Sequence, residues 1–389
     1  MNLYLVQMAQ KKWAIIFAFL SLFLLGLSDN IRGPLFPEIL IFFKLSSTEG
    51  SFSFAMTSGA AFLASFVSMY YLRRYSISSL LALGVFVLFL GMVIMGVSPS
   101  FTFFILGSFS LGLSFGFMGV AQNLLVSESI EPENQAKALS GLHAMYGFAS
   151  FLSPIVATQT TVFFGNWRFA FISASALCFI FLCAMMFVRP LPAFSIIKKN
   201  MNDPESVQKK ISKKTLFFIC GVIGFYVVAE ILVSTRLAQY MRNYFQMDLQ
   251  QSSQYVTYFF LFLLSGRLFF AFKKINMPIK MQMNISLIAA VVFLVLGLYV
   301  HPFFLALVGL GMSPYYPLSI AYISEFTGEH KRIFITYAMS FQSLAVIAMH
   351  LGVGYLTDHW GLFYAFGVGL FALVLSSICL NLHPKKIIY

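Results

Sequence analysis

The sequence predicts an all-α membrane protein in which twelve transmembrane helices form two pseudo-twofold-related six-helix bundles. Three observations point there. Of 389 residues, 59% are hydrophobic and 10% charged, with a mean hydropathy of +0.85; no soluble core hides that much apolar side chain. Residues 75–127 and 281–324 contain no Asp, Glu, Lys or Arg, and each tract is long enough for two spans joined by a hairpin. One long basic segment, from Arg189 to Lys214, divides the apolar stretches six and six.

A helix crosses a hydrocarbon core about 30 Å thick in roughly 20 apolar residues and must satisfy its own backbone there. The first spans are expected at 13–43, after Lys11 and Lys12, and at 50–72, closed by Arg73 and Arg74. Next come 77–97 and 100–126 within the first charge-free tract, 137–163 from Lys137, and 167–188 before Arg189. The second half repeats the plan with 215–244 after Lys213 and Lys214, and 252–272 before Lys273 and Lys274. It continues with 279–300 and 302–324 in the second charge-free tract, 332–356 after Lys331 and Arg332, and 360–382 before Lys385 and Lys386. Because the first apolar run continues into Asp29 without a small-residue cleavage site, it reads as a span rather than a signal peptide. The expected domains are an N-terminal bundle at 1–188, a cytoplasmic hinge loop at 189–214 carrying Pro190, Pro192 and Pro204, and a C-terminal bundle at 215–389.

With an even number of spans, both termini share one side, and the basic residues choose it. Lys11, Lys12, Arg73, Arg74, Lys137, the run from Arg189 to Lys214, Lys273, Lys274, Lys280, Lys331, Arg332, Lys385 and Lys386 fall together, against Lys44, Arg168 and Arg242 opposite. The positive-inside rule therefore places both termini in the cytoplasm and the protein in the plasma (inner) membrane. The net charge of +12 is scattered over short loops, so its expected partner is anionic lipid and not nucleic acid. Cys178, Cys183, Cys220 and Cys379 all fall in spans and form no CxxC pair, and the six histidines form no HExxH motif, so no metal or other cofactor is expected.

The halves echo each other. Each opens with a lysine pair, runs uncharged to an acid, Asp29 or Glu230, and then meets an arginine, Arg32 or Arg236. Both acids lie about 25 Å along their helices at roughly 1.5 Å per residue. Ser127-Glu128 ends the fourth span as Ser324-Glu325 ends the tenth. Such matches read as an internal repeat.

Gly112-Leu-Ser-Phe-Gly116, Asn123-Leu-Leu-Val126, Ala138-Leu139, His143, Gly147 and Pro154, with Ser265-Gly-Arg-Leu268, resemble the fucose and hexose permease branch of the major facilitator superfamily and its sodium-glucose relatives. Asn166-Trp-Arg-Phe-Ala-Phe171 resembles the start of the sixth span across that superfamily, and the resemblance covers essentially the whole chain. It implies alternating access around two bundles. Departures limit what carries over. Of the signature between the second and third spans, only Arg73-Arg74 is present, with Leu72 where the acid falls, and Gly33 and Gly119 stand where the fucose permease carries acids. Proton symport is therefore not implied.

Candidate substrate-binding or ion-coupling residues follow from polarity at membrane depth, where a charge costs at least about 2.5 kcal/mol and is normally paired or faces a wet cavity. Asp29 and Arg32, three residues apart, share a helix face, and Gly33, Pro34 and Pro37 loosen the backbone just beyond. Glu230 lies four residues after Tyr226 and six before Arg236; its other expected partner is Arg32 or Arg267 across the two bundles, itself a gating contact. His143, Tyr146, Asn123 and Gln122 offer hydrogen bonds to a hydroxylated solute. Gly309-Leu-Gly-Met-Ser-Pro-Tyr-Tyr-Pro317 should break the tenth span and present Tyr315 for stacking. A cytoplasmic gate is expected where Glu128 meets Arg73 or Arg74 and Glu325 meets Lys273 or Lys274, with Arg267 assigned to the same gate.

The expected function is secondary transport of a small polar solute, a sugar or polyol, coupled to a proton or sodium ion and performed by a monomer. No GxxxxGK[ST] loop is present to bind ATP, so direct ATP drive is not expected, and no set of nucleophiles, acids or metal ligands at one depth supports an enzyme. Export of an amphipathic compound such as a drug or lysolipid, or a transporter-like sensor without flux, are the alternative readings.

Overall fold

Where the sequence withholds charge, the chain is helix. A computed structural model describes residues 3–187, 212–273, 275–328 and 331–382, and no strand occurs among them. The first span is two helices, α1 (Leu3–Asn30) and α2 (Arg32–Phe43); then come α3 (Ser47–Tyr71), α4 (Ile77–Val97), α5 (Phe101–Ser129), α6 (Pro132–Phe164) and α7 (Arg168–Phe187). The second half has α8 (Lys213–Phe245), α9 (Leu249–Phe272), α10 (Ile279–Tyr299), α11 (Phe303–Met312), α12 (Tyr315–Thr327), α13 (Lys331–Trp360) and α14 (Leu362–Leu382). Among the described residues eleven helical stretches are long and apolar enough to cross a membrane. The predicted eighth span is α9, whose first turns, Leu-Gln-Gln-Ser-Ser-Gln, dilute its apolar character. Most of the expected hinge at 189–214 lies outside the described residues, as does Lys274.

Two boundaries differ from expectation, each for a physical reason. α6 begins at Pro132, five residues before Lys137, because a proline suits the first turn, where no amide partner is needed. The first span is interrupted at Ile31: Pro34 has no N–H for the Asn30 carbonyl, and the next bond, Leu35 N to Ile31 O, is stretched to 3.4 Å. The tenth span is interrupted at Ser313 and Pro314 as its prolines predicted; the Leu310 carbonyl accepts from Ser313 N at 3.2 Å and Ser313 Oγ at 2.8 Å instead.

The internal repeat is visible in backbone detail. The first span of each half ends on a left-handed residue, Lys44 (φ 55°) and Gln246 (φ 52°), and the fifth on a left-handed glycine, Gly165 (φ 67°) and Gly361 (φ 87°). Close packing repeats too: a Cβ at Gly112 of α5 would stand 2.2 Å from the Thr57 carbonyl oxygen of α3, and one at Gly309 of α11 would stand 2.2 Å from that of Phe259 on α9. Small residues at such crossings let transmembrane backbones approach.

The chain forms two compact units, Met1–Lys44 with Phe52–Ile197, and Leu45–Ser51 with Lys198–Tyr389. In the first, α1 packs on α5 and α6, and α4 on α5 and α7. In the second, α8 packs on α13 and α14, and α11 on α9 and α10. The start of α3 thus belongs to the second unit, outside the expected boundary between bundles.

Candidate functional site

In the first unit, polar side chains gather at the α1–α2 break. The Arg32 guanidinium donates to Asp29 Oδ1 at 2.6 Å and to Thr57 Oγ1 at 2.7 Å, and it lies 4.7 Å over the Phe54 ring. Tyr146 of α6 donates to the other Asp29 oxygen at 2.9 Å. Asn30 donates to the Gly26 carbonyl at 2.8 Å and to Ser150 Oγ at 3.0 Å, beside the Tyr146 hydroxyl at 3.4 Å. Arg32 is 3% exposed and Asp29 22%, so the acid is the accessible member of the pair. Desolvating two charges is tolerated here because the pair is closed and further hydrogen bonds surround it.

A second cluster lies in the second unit. Glu230 Oε1 accepts from Arg267 at 3.1 Å, and Glu230 Oε2 meets the Tyr226 hydroxyl at 2.5 Å. That hydroxyl also reaches the Met312 carbonyl, at the break between α11 and α12, at 2.8 Å. Tyr315 is fully buried: its ring stacks on Tyr226 at 4.4 Å, and its hydroxyl meets Ser376 Oγ at 2.7 Å and the Val222 carbonyl at 3.2 Å. With ring face and hydroxyl both occupied, Tyr315 supports Tyr226 and presents no free stacking surface.

Two expected placements need correction. Arg267 is not at the ends of the helices with the proposed gate; it lies in the same unit as Glu230 and pairs with it there, so the contact does not run between bundles. Arg236 does not join Glu230. Six residues turn a helix through about 600°, leaving the two side chains roughly 120° apart, whereas Tyr226, four residues away, stays on the acid's face.

Arg236 instead belongs to a third group that holds the first turn of α3. Its guanidinium, 1% exposed, donates to Ser51 Oγ at 2.7 Å, while Gln239 donates to Ser47 Oγ at 2.9 Å. Asp358 at the end of α13 accepts from Ser47 N at 2.8 Å, Thr48 N at 2.7 Å and Thr48 Oγ1 at 2.5 Å. Gly354 leaves room for this turn, since a Cβ there would come 2.5 Å from Ser51 Oγ. A carboxylate at a helix N-terminus satisfies orphan amides and meets the positive end of the dipole.

The remaining candidates are dispersed. His143 is exposed on α6, and Asn123 donates to the Gly119 carbonyl of its own helix at 2.7 Å. Gln122 is buried beside Ser21, within 2.9 Å. Phe115 of α5 makes an edge contact with Tyr146 at 6.4 Å. At the basic ends, Glu128, Glu325, Arg73, Arg74 and Lys273 are exposed, and no ion pair joins them among the described residues; Arg74 and Lys273 lie over Tyr70 and Phe269 instead. Sequence reasoning missed Thr57, Asn30 and Ser150, and every member of the third group except Arg236. Only Asp358, an acid beside an apolar span, gave a signal that could have been followed.

Comparison with known proteins fits this architecture. The sequence model of the Major Facilitator Superfamily matches residues 18–342. The "Protein TsgA homolog" of Buchnera aphidicola subsp. Baizongia pistaciae (strain Bp) is 20% identical over 380 residues, covering 94% of this chain and 96% of that protein. The "Uncharacterized MFS-type transporter YfiU" of Bacillus subtilis (strain 168) is 25% identical over 169 residues, about a third of its length (32%) and 43% of this chain. Among solved structures, a peptide transporter POT in complex with sulfate superimposes with a TM-score of 0.75 at 12% identity, covering 96% of this chain and 94% of that one. A bacterial homolog of the human lysosomal transporter Spinster, in an inward-facing and occupied conformation, gives 0.73 at 11% identity, covering 96% of both chains. At such identities the structures speak for the fold alone. The family match runs through both repeats, and the protein belongs to the Major Facilitator Superfamily of membrane transporters.

Proposed function

We propose that this transporter carries a small neutral hydroxylated solute, a sugar or polyol, by alternating access, with Asp29 and Glu230 as the coupling carboxylates. The carrying observation is that each unit holds one partly exposed acid bound by one arginine and one tyrosine: Asp29 with Arg32 and Tyr146, Glu230 with Arg267 and Tyr226. Before a proton is taken up, the formal charges of acid and arginine cancel in each cluster, which suits a solute without net charge. Such a solute is recognised through hydrogen bonds, and Asn30 and Tyr146 supply donors and acceptors beside Asp29.

Proton counting favours a proton over sodium as the coupling ion. The Tyr226 hydroxyl has one proton and two acceptor partners, Glu230 Oε2 and the Met312 carbonyl. A protonated Glu230 satisfies both contacts by donating to Tyr226, which then donates to Met312. An ionised Glu230 leaves one contact without a proton and relies on Arg267. The excess of lysine and arginine in the loops on one side supports an orientation with both termini in the cytoplasm.

The test is flux into proteoliposomes of defined orientation. Asp29→Asn and Glu230→Gln should each insert and fold but lose pH-driven accumulation of the solute. Accumulation with unchanged pH response in both variants defeats the coupling assignment, and transport confined to hydrophobic cations or lipids defeats the hydroxylated substrate.

A further inference from the structure

We infer that the groove between α8 and α13 is a binding site for one anionic phospholipid, with an acyl chain on its phenylalanines and the phosphate at Lys213. The groove, about 300 Å³, is lined by Lys213, Phe217 and Cys220 of α8 and by Tyr337, Phe341 and Leu344 of α13, among others. The two helices are the first and fifth of their half, so they run the same way from the basic ends. Along both, polarity falls in the same direction. Lys213 is the first residue of α8, with Phe217 and Cys220 one and two turns further; on α13, Tyr337 precedes Phe341 and Leu344. A headgroup-to-chain gradient of this kind matches a phospholipid lying along the helices.

The floor is built to stay open. Gly224 has no side chain where a Cβ would stand 2.4 Å from Phe341 Cδ1, so the Phe341 ring lies against α8, edge-on to Phe217 at 5.9 Å and Phe225 at 5.3 Å. Phe217 is 50% and Leu344 55% exposed, leaving apolar surface for a chain to cover. Charge selects the headgroup. Lys213 and Lys214 are exposed, and neither helix carries an acid before Glu230 on α8 and Asp358 on α13. A phosphate with net negative charge is complementary to that rim, whereas a zwitterionic headgroup brings its own cation to it.

The test uses the full chain, delipidated in neutral detergent, with thermal unfolding followed while phosphatidylglycerol, phosphatidylcholine or inorganic phosphate is added. Phosphatidylglycerol should raise the Tm saturably, and the other two should not. Lys213→Ala should raise the phosphatidylglycerol concentration for half-maximal effect roughly fivefold, the weight of one lysine near an anionic surface. Leu344→Trp, a filling change at an exposed position, should remove the saturable effect while leaving the lipid-free Tm in place. Equal shifts with phosphatidylcholine, a full shift with phosphate alone, or phosphatidylglycerol curves unchanged in Lys213→Ala overturn the assignment. None of these outcomes touches the coupling carboxylates, so this site stands or falls separately from the substrate reading.

Discussion

Replacing Asp358 by alanine should release the first turn of α3. The carboxylate accepts two backbone amides and one hydroxyl there, at 2.8, 2.7 and 2.5 Å. Because Asp358 is exposed, these bonds carry the weight of a helix N-cap, about 1 kcal/mol, with about 0.3–1 kcal/mol more for a charge at the dipole. A loss of roughly 1–2 kcal/mol raises the open population of that turn by about 5- to 30-fold. Amide exchange reads this directly: peptides covering residues 45–51 should exchange faster by that factor, while peptides of α5 should not change. Asp358→Asn, which keeps one acceptor but no charge, should fall between. Identical exchange in wild type and Asp358→Ala would show that Arg236 and Gln239 alone hold the turn.

Three further outcomes follow from the packing. Thr57→Val takes a partner from a nearly buried guanidinium and should cost about 1–3 kcal/mol, seen as a lower Tm that Thr57→Ser restores. Tyr226→Phe removes the proton shared by Glu230 and Met312 and should weaken pH-driven accumulation while the protein still folds; unaltered accumulation contradicts the relay. Gly112→Ala and Gly309→Ala each place a methyl 2.2 Å from a carbonyl oxygen, and each should cost about 1–3 kcal/mol and lower the yield of monodisperse protein.

The spans were legible because a membrane helix announces itself by the absence of charge over a fixed length, and 75–127 and 281–324 admit no other reading. The break in the tenth span was legible because Pro314 and Pro317 remove donors wherever they stand. Asp29 with Arg32 and Tyr226 with Glu230 were legible as neighbours on one helix turn. The partners from other helices were not. Arg267 reaches Glu230 across 37 residues and Tyr146 reaches Asp29 across 117, separations set by how helices pack and by no local period. The place of Leu45–Ser51 in the second unit was hidden for the same reason: helical periodicity runs unbroken through α3, while the contacts that divide it come from Arg236, Gln239 and Asp358.

The two acid clusters match in composition and differ in how they can open. Asp29 and Arg32 lie on one short stretch of chain, and Ile31 between them keeps right-handed helical angles (φ −57°, ψ −37°), so the pair is fixed by local geometry. Glu230 and Arg267 sit on different helices, α8 and α9, so a shift of one against the other lengthens a contact that already stands at 3.1 Å. The arginines differ accordingly, 3% exposed in the first pair and 27% in the second. Breaking a buried pair by removing one partner costs about 3–5 kcal/mol, and the cost falls as the partner left behind is more exposed. Asp29→Asn, which strands the 3% exposed Arg32, should therefore lower the Tm more than Glu230→Gln, which leaves the 27% exposed Arg267, and both should uncouple. The reverse ranking of the two Tm values would mean that the first pair, and not the second, is the one that exchanges partners during transport.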